Sequence, residues 1–417
     1  MKVLVVGGGG REHTLVNALK RSNRVAELFC APGNAGIAEV ATCLDTDGSV
    51  ASLISLAKEH ATDLTVVGPE VPLVAGVVDA FELEGLRIFG PSSAAAQLEG
   101  SKSFSKDFMR RHSIPTANFE SFTEIGPALA YLNNAQLPTV IKDSNLAAGK
   151  GVTIAQTLDE AHDAIQNILS GPHGGELVIE DFLTGQEVSF LIFTGGESYA
   201  PMLLAQDYKQ AFDGDMGPMT GGMGTVAPAQ LLSAEQRAYV HEHIVEKTLQ
   251  GLRDDGIVYK GVLYIGLMVA GDDIRVLEYN VRFGDPETQV VLPLLETDLV
   301  DVFDAVIDGR VDGLELSWSD KSAACIVMAA PGYPEAYPKD IPITLPSATE
   351  TVSIIHAGTA RKQGHLVSSG GRVLGVTAVT KNLATALSEA YDMVSKIDFE
   401  GAHYRNDIGS RLNAKEK

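Results

Sequence analysis

Residues 278–289 of the chain are Glu278-Tyr279-Asn280-Val281-Arg282-Phe283-Gly284-Asp285-Pro286-Glu287-Thr288-Gln289, and they follow a strand signal at 274–277. Strand side chains alternate between two faces, so Glu278, Asn280 and Arg282 are predicted to share one face. A carboxylate and an amide oxygen suit Mg2+, and a guanidinium forks onto an anion. The stretch therefore predicts a metal and phosphate site, although a pattern of three residues alone would also fit a solvated strand edge.

The composition indicates sizeable buried cores and an acidic surface. The chain has 417 residues, 45% of them hydrophobic, and a formal charge of −22 from 32 basic and 54 acidic residues. This length suggests roughly two to four domains of about 100–200 residues each. Nucleic-acid binding requires lysine and arginine against the phosphates, so the acidity and the lack of a basic stripe argue against a nucleic-acid partner.

The apolar pattern and the cysteines predict a cytoplasmic protein with no membrane partner. No apolar run reaches the roughly 20 residues needed to span a bilayer. Met1 and Lys2 lead directly into a strand pattern and not into a signal peptide. Cys30, Cys43 and Cys325 lack metal-ligand spacing, so we interpret them as reduced and structural.

The first hundred residues alternate between strand and helix patterns. Strands are predicted at 2–6, 25–30, 64–67 and 86–89, and helices at 11–20, 50–60 and 72–83. Such alternation is typical of a parallel, doubly wound sheet, whose ligands bind beyond the carboxyl ends of the strands. We therefore expect the segments after three of the strands to share one rim, namely 7–13, 31–36 and 68–70.

Four glycines, Gly7 to Gly10, precede the first predicted helix. The dinucleotide fingerprint G-x-G-x-x-G fails here, because its last position falls on Glu12 or His13, and the loop is not a Walker P-loop either. A glycine loop that opens a helix binds one phosphate through free N–H groups, or it simply packs closely on the sheet. Both interpretations stay open on these residues alone.

The middle of the chain has features suited to a nucleoside triphosphate. Lys142 ends a predicted strand and Lys150 lies in the small-residue loop 146–152, where ammonium groups could meet phosphate oxygens; a single lysine is more often solvated. Residues 180–187 are predicted to form a hinge strand and turn that contacts adenine and ribose. The glycine-rich stretch 206–224 is predicted to be a long functional loop, with an irregular connector as the alternative.

The remaining patterns support these sites. Helices are predicted at 92–113, 234–253 and 298–307, and a hairpin at 262–279 delivers the 278–289 stretch. The region from residue 321 shows no catalytic set of its own.

Residues 282–289, RFGDPETQ, resemble the signature of the glycinamide ribonucleotide synthetase family of ATP-grasp ligases, and the resemblance extends through most of the chain. It implies a multidomain α/β and α+β fold. The implied parts are a Rossmann-like N-terminal domain at 1–100, an ATP-grasp region at 101–320 with a lid subdomain at about 116–190, and a small α+β C-terminal domain at 321–417. For the last part the resemblance suggests packing and a contribution to the adenine pocket wall.

The resemblance also implies a reaction, the ATP-dependent ligation of glycine to 5-phospho-β-D-ribosylamine in purine synthesis. The products would be glycinamide ribonucleotide, ADP and phosphate, formed through a glycyl phosphate by a monomer that uses ATP and Mg2+ or Mn2+. A related ATP-grasp ligase with another acyl acceptor would need a different N-terminal domain. A noncatalytic nucleotide-binding protein would lack metal ligands, and the failed glycine fingerprint disfavours a dehydrogenase.

Candidate site residues follow from the resemblance by position. The implied catalytic residues are Arg282, Lys142 and Glu278, and the implied metal ligands are Glu278 and Asn280. The expected ATP contacts are Lys102, Lys142, Ala147, Ala148, Gly149, Lys150, Gly151, Val152, Glu180, Phe182, Leu183 and Glu187. The expected contacts to glycine or phosphoribosylamine are Gly8, Gly9, Gly10, Asn34, Glu70, Asp207, Asp213, Gly221, Gly222 and Arg282. A mobile lid at 147–152 is our hypothesis for excluding water from the acyl phosphate.

The chain departs from the common family pattern at several positions. It has Tyr208, Gln210 and Met219 where the family usually has histidine, arginine and asparagine. It also has Asp143-Ser144-Asn145 in place of Ala-Asp-Gly. The family's roles for those side chains are therefore not carried over, and substrate affinity is the property that these departures put in doubt.

Overall fold

The first hundred residues form a five-stranded parallel sheet, in a computed structural model that describes residues 1–146, 151–171 and 175–410. Its strands are β1 (Lys2–Gly7), β2 (Glu27–Pro32), β3 (Thr42–Cys43), β4 (Leu64–Val67) and β5 (Ile88–Phe89). Their order across the sheet is β3-β2-β1-β4-β5. The helices are α1 (Gly10–Lys20), α2 (Val50–Glu59), α3 (Glu70–Val74), α4 (Val77–Leu83) and α5 (Ser93–Gly100).

Strand β1 shows why this sheet is buried on both faces. Val3 and Val5 belong to one hydrophobic cluster, whereas Leu4 and Val6 belong to another. A strand covered by helices on both sides is apolar at every position, which is the pattern of a parallel sheet. The predicted doubly wound sheet is therefore present.

Two predicted helices are each broken in two, for local reasons. The helix predicted at 72–83 breaks at Gly76, whose φ of +84° ends one helix and begins the next. The helix predicted at 92–113 breaks at Ser101, which is extended and whose hydroxyl accepts from the Phe104 N–H at 3.2 Å. Ser101 thereby caps a separate helix, α6 (Lys102–Arg111).

The next segment folds into a small antiparallel sheet with two helices, which we call the lid. Its strands are β6 (Phe119–Phe122), β7 (Thr139–Asp143), β8 (Val152–Ala155) and β9 (Leu177–Asp181), in the order β6-β9-β7-β8. Its helices are α7 (Ile125–Leu132) and α8 (Leu158–Leu169). They bury a cluster of their own around Ile141 and Ile165.

The central part contains eight strands and four helices among the described residues. The strands are β10 (Gln186–Thr194), β11 (Tyr199–Pro201), β12 (Gln206–Asp207), β13 (Gln210–Phe212), β14 (Met216–Met219), β15 (Gly224–Ala227), β16 (Gly261–Ala270) and β17 (Asp273–Asn280). The helices are α9 (Ala234–Val240), α10 (Glu246–Asp254), α11 (Thr288–Val291) and α12 (Leu299–Ile307). One sheet has the order β11-β10-β16-β17, and its last two strands are the predicted hairpin.

The stretch 206–224 is more regular than predicted, because β12, the β13–β14 hairpin and the start of β15 lie within it. The later strands are β18 (Ser322–Ala329), β19 (Val352–His356), β20 (Thr359–Lys362), β21 (His365–Ser368) and β22 (Arg372–Thr380), followed by α13 (Leu383–Val394). Strands β12 and β15 join three of them in a second sheet, in the order β12-β15-β18-β22-β19. In the described ranges, no helix has the length and apolarity to cross a bilayer.

The N-terminal domain meets the C-terminal region at a buried histidine pair. His13 Nδ1 accepts the backbone N–H of His356 at 2.8 Å, and the His356 ring lies 5.6 Å from that of His13. Burial, and secondarily the neighbouring His356, lowers the pKa of His13 from 6.5 to about 3. His13 is therefore neutral at physiological pH, and its accepting nitrogen links the two regions.

His13→Asn is expected to flatten the acid dependence of stability. As pH falls from 6.5 towards 3, the unfolded chain protonates His13 while the folded chain does not, so folding stability decreases. The wild-type protein should lose up to about 1.4 kcal/mol per pH unit through this residue. Urea unfolding from pH 7 to pH 4.5 measures the slope, with the more exposed His243→Asn as control. Equal slopes for wild type and His13→Asn would contradict the assignment.

Candidate active site

A cleft of about 430 Å³ lies where the N-terminal domain, the lid, the central sheet and the C-terminal region meet. Its apolar lining residues come from α5, α6, the lid and the β16–β17 hairpin, and we call this set the apolar end: Leu98, Met109, Val140, Ile154, Phe182, Leu183, Met268 and Leu277. Its charged lining residues, which we call the charged end, include Arg11, Glu70, Glu99, Lys102, Lys142, Glu187, Asp207, Lys209, Glu278, Arg282, Asp285, Glu287 and Arg372. Such a lining accepts a ligand that has both an apolar group and several charges.

The end of β17 supplies three of the charged or polar lining residues. Glu278, Asn280 and Arg282 all line the cleft, as strand alternation predicts. The intervening Tyr279 also borders the cleft, although its side chain is buried and its hydroxyl lies 2.6 Å from Thr248 Oγ1. Val281 is buried and does not line the cleft, so the opposite face of this stretch packs into the core.

Arg282 is held by two carboxylates and an amide. Its Nη2 donates to Glu99 Oε1 at 2.7 Å and to Asn280 Oδ1 at 3.1 Å, and its Nε donates to Glu70 Oε2 at 3.4 Å. Burial alone would lower the pKa of Arg282, but Glu99 and Glu70 raise it above its usual value. The guanidinium is therefore a fixed, permanent cation in the cleft.

Glu278 is an ionised carboxylate among lysines. Lys209 Nζ lies 3.4 Å from Glu278 Oε1 and 3.4 Å from Glu187 Oε2. Burial would raise the pKa of Glu278, yet Lys209, Lys142 and Lys102 together lower it to about 2. Lys209 was not singled out from the sequence, since a lysine in a glycine-rich loop gives no local signal of its partners.

A second group of charges lies near the apolar end. The carboxylate of Glu180 on β9 contacts the ammonium groups of both Lys106 and Lys142. Lys106 also donates to Thr116 Oγ1 at 2.7 Å. Burial, only partly offset by Glu180, lowers the pKa of Lys106 to about 8. Lys102 lies one helical turn from Lys106 on α6, and its Nζ donates to the Asn145 carbonyl at 3.0 Å.

The far charged end contains a buried acidic pair. Burial, and next the proximity of Glu287, raises the pKa of Asp207 well above its usual value. Ser189 Oγ donates to Glu287 Oε1 at 3.0 Å. Lys209, which also lines the cleft, is the cation beside this pair and opposes the rise in the pKa of Asp207.

Arg372 is the C-terminal residue that reaches the cleft among those the structure describes. Its Nη1 donates to the carbonyls of Gly221 at 2.6 Å and Asp285 at 2.7 Å, and its Nη2 lies 3.3 Å from Asp285 Oδ2. The apolar lining residues that the structure describes come from 98–277. The C-terminal region thus contributes Arg372 to the charged end, and the contribution to the adenine wall that the resemblance suggested stays a prediction.

The N-terminal glycine loop is closed by side chains from its own domain. The Gly9 N–H donates to Glu12 Oε2 at 2.6 Å. A Cβ at Gly7, where φ is +122°, would lie 2.6 Å from Glu12 Cγ, so glycine is required there. Asn34 Nδ2 donates to the carbonyls of Gly8 and His356, both at 2.9 Å, and so ties the loop to β19.

The comparison with known families agrees with this geometry. Models of the phosphoribosylglycinamide synthetase N domain, ATP-grasp (A) domain and C domain match residues 1–99, 100–288 and 323–411. The chain belongs to this family. The predicted family and multidomain fold class are confirmed, as is the prediction of an ATP-dependent ligase of purine synthesis.

Relatives of the synthetase family cover the chain almost completely. The phosphoribosylamine–glycine ligase of Caldanaerobacter subterraneus subsp. tengcongensis is 44% identical, over 98% of this chain and 100% of that protein. The crystal structure of phosphoribosylamine–glycine ligase from Thermotoga maritima has a TM-score of 0.85 and 34% identity, covering 98% of this chain and 100% of that one. A biotin carboxylase domain from Hydrogenobacter thermophilus shares the fold, with a TM-score of 0.73 and 16% identity over 100% of this chain and 94% of that domain.

The predicted ATP contacts of this synthetase lie together wherever the structure describes them. The lining residues among them are Lys102, Lys142, Gly151, Val152, Glu180, Phe182, Leu183 and Glu187. Ala147, Ala148, Gly149 and Lys150 lie outside the described residues. Their assignment, and the lid hypothesis for 147–152, stay predictions.

The predicted substrate contacts are more dispersed. Glu70, Asp207, Gly221 and Arg282 line the cleft. The others are not among its lining residues, namely Gly8, Gly9, Gly10, Asn34, Gly222 and Asp213. A Cβ at Gly9 would lie 3.6 Å from Asp285 Oδ2, so the glycine loop adjoins the charged end. Asp213 is exposed and accepts from the Asn406 N–H at 2.8 Å, well along the β13–β14 hairpin. The substrate roles of all these residues stay predictions.

Two of the departures from the family pattern serve packing in this chain. Tyr208 is fully buried, and its hydroxyl accepts the Gly409 N–H at 2.9 Å. Ser144 is also buried, and its hydroxyl accepts the Ser103 N–H at 3.1 Å, which joins the lid to the start of α6. Met219, by contrast, lines the cleft and is the departure placed to affect a bound substrate.

Proposed function

We propose that this ligase joins glycine to 5-phospho-β-D-ribosylamine, with ATP converted to ADP and phosphate, in the cytoplasm and as a monomer. The observation that carries the proposal is the 278–289 stretch at the cleft, where an ionised Glu278 and a fixed Arg282 lie among lysines. A carboxylate is a poor acyl donor, because its leaving group would be oxide. Phosphorylation of glycine by ATP removes this obstacle and forms glycyl phosphate, which the ribosylamine nitrogen then attacks.

The apolar end of the cleft suits the adenine of ATP, and the adjoining lysines suit its phosphates. Phosphoryl transfer depends mainly on positioning and on stabilisation of charge. Lys102 and Lys142 would offset the charge of the triphosphate, and Arg282 would offset the charge on the acyl phosphate. Glu180 holds Lys142 in place, which fixes one of these cations before ATP arrives.

Glu278 and Asn280 would hold a divalent cation, Mg2+ or Mn2+. Their hard oxygens fit such an ion, which proteins usually bind through one or two side chains together with substrate phosphates. The described residues contain no cluster of three His, Cys, Asp or Glu side chains able to hold a metal. When bound, the ion neutralises charge across the phosphates during transfer.

Glycine fits the charged end as a zwitterion. Its ammonium group would add a second cation beside the buried Asp207 and Glu287, next to Lys209, and its carboxylate would then face Arg282. The glycine loop and Glu70 would contact phosphoribosylamine, since the loop adjoins Asp285 at the same end. This arrangement brings the amine nucleophile and the activated carboxylate together.

The purified protein is expected to release ADP from Mg-ATP only when both glycine and freshly made phosphoribosylamine are present. Omitting each in turn, and identifying the product by mass as glycinamide ribonucleotide, tests the proposal. β-Alanine in place of glycine is a useful control, because its extra methylene separates the ammonium and carboxylate groups further and should prevent glycine's placement between Arg282 and the acidic pair. ADP release with neither substrate, or with a different amine, would contradict the proposed substrates and leave an ATP-grasp ligase of another specificity.

A further inference from the structure

The segment 206–212 presents two faces to two different surroundings. Asp207, at the end of β12, and Lys209, in the link between β12 and β13, line the cleft. The intervening Tyr208 turns the other way, into the core of the C-terminal region. The two neighbours of Lys209, Tyr208 and Gln210, contact the last described part of the chain. We call this part, residues 403–410, the C-terminal clasp.

Arg405 is the centre of the C-terminal clasp. It is fully buried, and its Nε and Nη2 fork onto Asp407 Oδ1 and Oδ2 at 2.7 and 2.6 Å. Its Nη1 donates to the Gln210 carbonyl at 3.1 Å and to Asp215 Oδ1 at 3.0 Å. The guanidinium also lies over the Tyr208 ring, 5.1 Å from its centroid. One side chain therefore contacts the residues on both sides of Lys209.

Other atoms of the clasp hold the same hairpin. The Gly409 N–H donates to the Tyr208 hydroxyl at 2.9 Å, and the Asn406 N–H donates to Asp213 Oδ1 at 2.8 Å. His403 Nε2 lies 2.7 Å from the Ala211 carbonyl. These contacts run along the whole of the hairpin side that faces away from the cleft.

The cleft side of the same backbone is held differently. The Lys209 carbonyl accepts from the Thr220 N–H at 2.8 Å and from Thr220 Oγ1 at 2.7 Å. Lys209 Nζ then extends to Glu187 and Glu278. A long, flexible side chain reaches such partners reproducibly only when its own backbone is fixed. The contacts of the C-terminal clasp on one side of this segment therefore determine where Lys209 Nζ lies on the cleft side.

We propose that Arg405 is a positioning residue for the ligation, acting through Lys209 although it lies outside the cleft. This inference rests on the proposed function, in which Glu278 serves the phosphates. Arg405 fixes the backbone at Tyr208 and Gln210, and this backbone holds the Lys209 ammonium against Glu187 and Glu278. A merely structural arginine would affect the amount of folded protein without changing the kinetics of each folded molecule.

The test compares Arg405→Lys, Arg405→Met and Lys209→Met with the wild-type protein. Arg405→Lys keeps the charge but loses the fork on Asp407, so Glu278 should be held less well during phosphoryl transfer and kcat should fall by roughly 10- to 100-fold. The KM for ATP should change much less, because Lys102, Lys142 and Glu180 are held by α6 and the lid. The matched control is Arg361→Met, which removes an exposed arginine paired with Glu39 and should leave the kinetics unchanged.

Non-additivity gives the decisive readout. If Arg405 acts through Lys209, the double variant Arg405→Lys/Lys209→Met should be no slower than Lys209→Met alone. Fully additive losses would overturn the proposal, as would wild-type kinetics in folded Arg405→Lys. Tyr208→Phe, which loses only the hydroxyl that accepts from Gly409, provides a milder variant should Arg405→Met fail to fold. It should shift kcat in the same direction.

Hydrogen exchange tests the contact without any turnover. The amides of Thr220 and Met223, which donate to the carbonyls of Lys209 and Tyr208, should exchange faster in Arg405→Lys than in the wild-type protein. Unchanged exchange would overturn the proposal. A wild-type protein that forms no glycinamide ribonucleotide would instead contradict the proposed function, and the exchange experiment distinguishes these two failures.

Discussion

Glu278→Gln is expected to lower kcat by roughly 100- to 1,000-fold, the size found when one preorganised electrostatic group is removed from an active site. The substitution keeps the shape of the side chain but removes its negative charge. Glutamine is a weaker ligand for a divalent cation, so charge would build up on the phosphates without an adequate counter-ion. Lys209 would also lose one of its two carboxylate partners.

The pH dependence of stability provides a second signature of the same residue. The folded-state pKa of Glu278 is about 2 and its ordinary value is 4.5, so ionised Glu278 stabilises the fold above pH 4.5. This contribution is lost as pH falls from 4.5 towards 2. Glu278→Gln lacks the titrating group, so its stability should depend less on pH across that window.

Steady-state kinetics with Mg-ATP, combined with urea unfolding at several pH values, measures both effects. Glu242→Gln is a suitable control, because Glu242 is a mostly exposed glutamate that is not among the residues lining the cleft. If Glu278→Gln retained a kcat within roughly tenfold of the wild-type value, Glu278 would not be the principal metal ligand.

The architecture was predictable where the signal is local. Strand β4 has the bounds predicted for it, and the four central residues of β1, 3–6, are all apolar and buried as a doubly covered strand requires. Strand alternation at the end of β17 likewise brought Glu278, Asn280 and Arg282 to one surface. The first prediction needs only a short run of apolar residues, and the second needs only the alternation of side chains along a strand.

The charge pairs of the site were not predictable, because their partners are distant in sequence. Lys209 meets Glu278, and Arg282 meets Glu70 and Glu99, across separations of 69 to 212 residues. A lysine among 32 basic residues carries no mark of such a partner. Glu99 likewise carries no local sign of its partners, Arg282 and the Val281 N–H. It meets them only because α5 packs against β17 in the fold.

Tyr208 illustrates why the effect of a departure from a family pattern cannot be assigned from sequence. The residue lies between two cleft residues, so a change from histidine put substrate affinity in doubt. In the structure its side chain is fully buried under Arg405, in the link between β12 and β13. A substitution in a binding loop contacts the ligand only if its side chain faces the cleft, and the sequence of an irregular link does not show which side chains do so.

Arg282→Met is expected to lower kcat/KM for ligation by roughly 1,000-fold, comparable to the loss of an arginine that stabilises a phosphoryl-transfer transition state. The guanidinium is poised at the cleft by Glu99, Glu70 and Asn280, so it need not reorganise when charge develops on the acyl phosphate. Arg282→Lys keeps the charge but loses the planar fork, and it should recover only part of the activity.

The same substitution should also destabilise the protein, so a loss of activity alone would not distinguish a catalytic role of Arg282 from a structural one. Glu99 would remain buried without its cation, at a cost of about 3–5 kcal/mol, and its pKa, already raised by burial, would rise further. The double variant Arg282→Met/Glu99→Gln removes this unpaired charge, so its free energy of unfolding should return towards the wild-type value. The amide oxygen of the introduced glutamine can still accept from the Val281 N–H, which Glu99 Oε2 accepts at 2.7 Å in the native chain.

Comparing the single and double variants separates stability from chemistry. Urea unfolding should show recovery in Arg282→Met/Glu99→Gln, whereas product formation measured by mass should stay as low as in Arg282→Met. Recovery of activity together with stability would mean that Arg282 serves mainly to neutralise Glu99, and the acyl-phosphate role would then pass to Arg372 or Lys209. Persistent inactivity in a stable double variant would assign Arg282 to the transfer step itself, since its electrostatic contribution would be the part that stability does not explain.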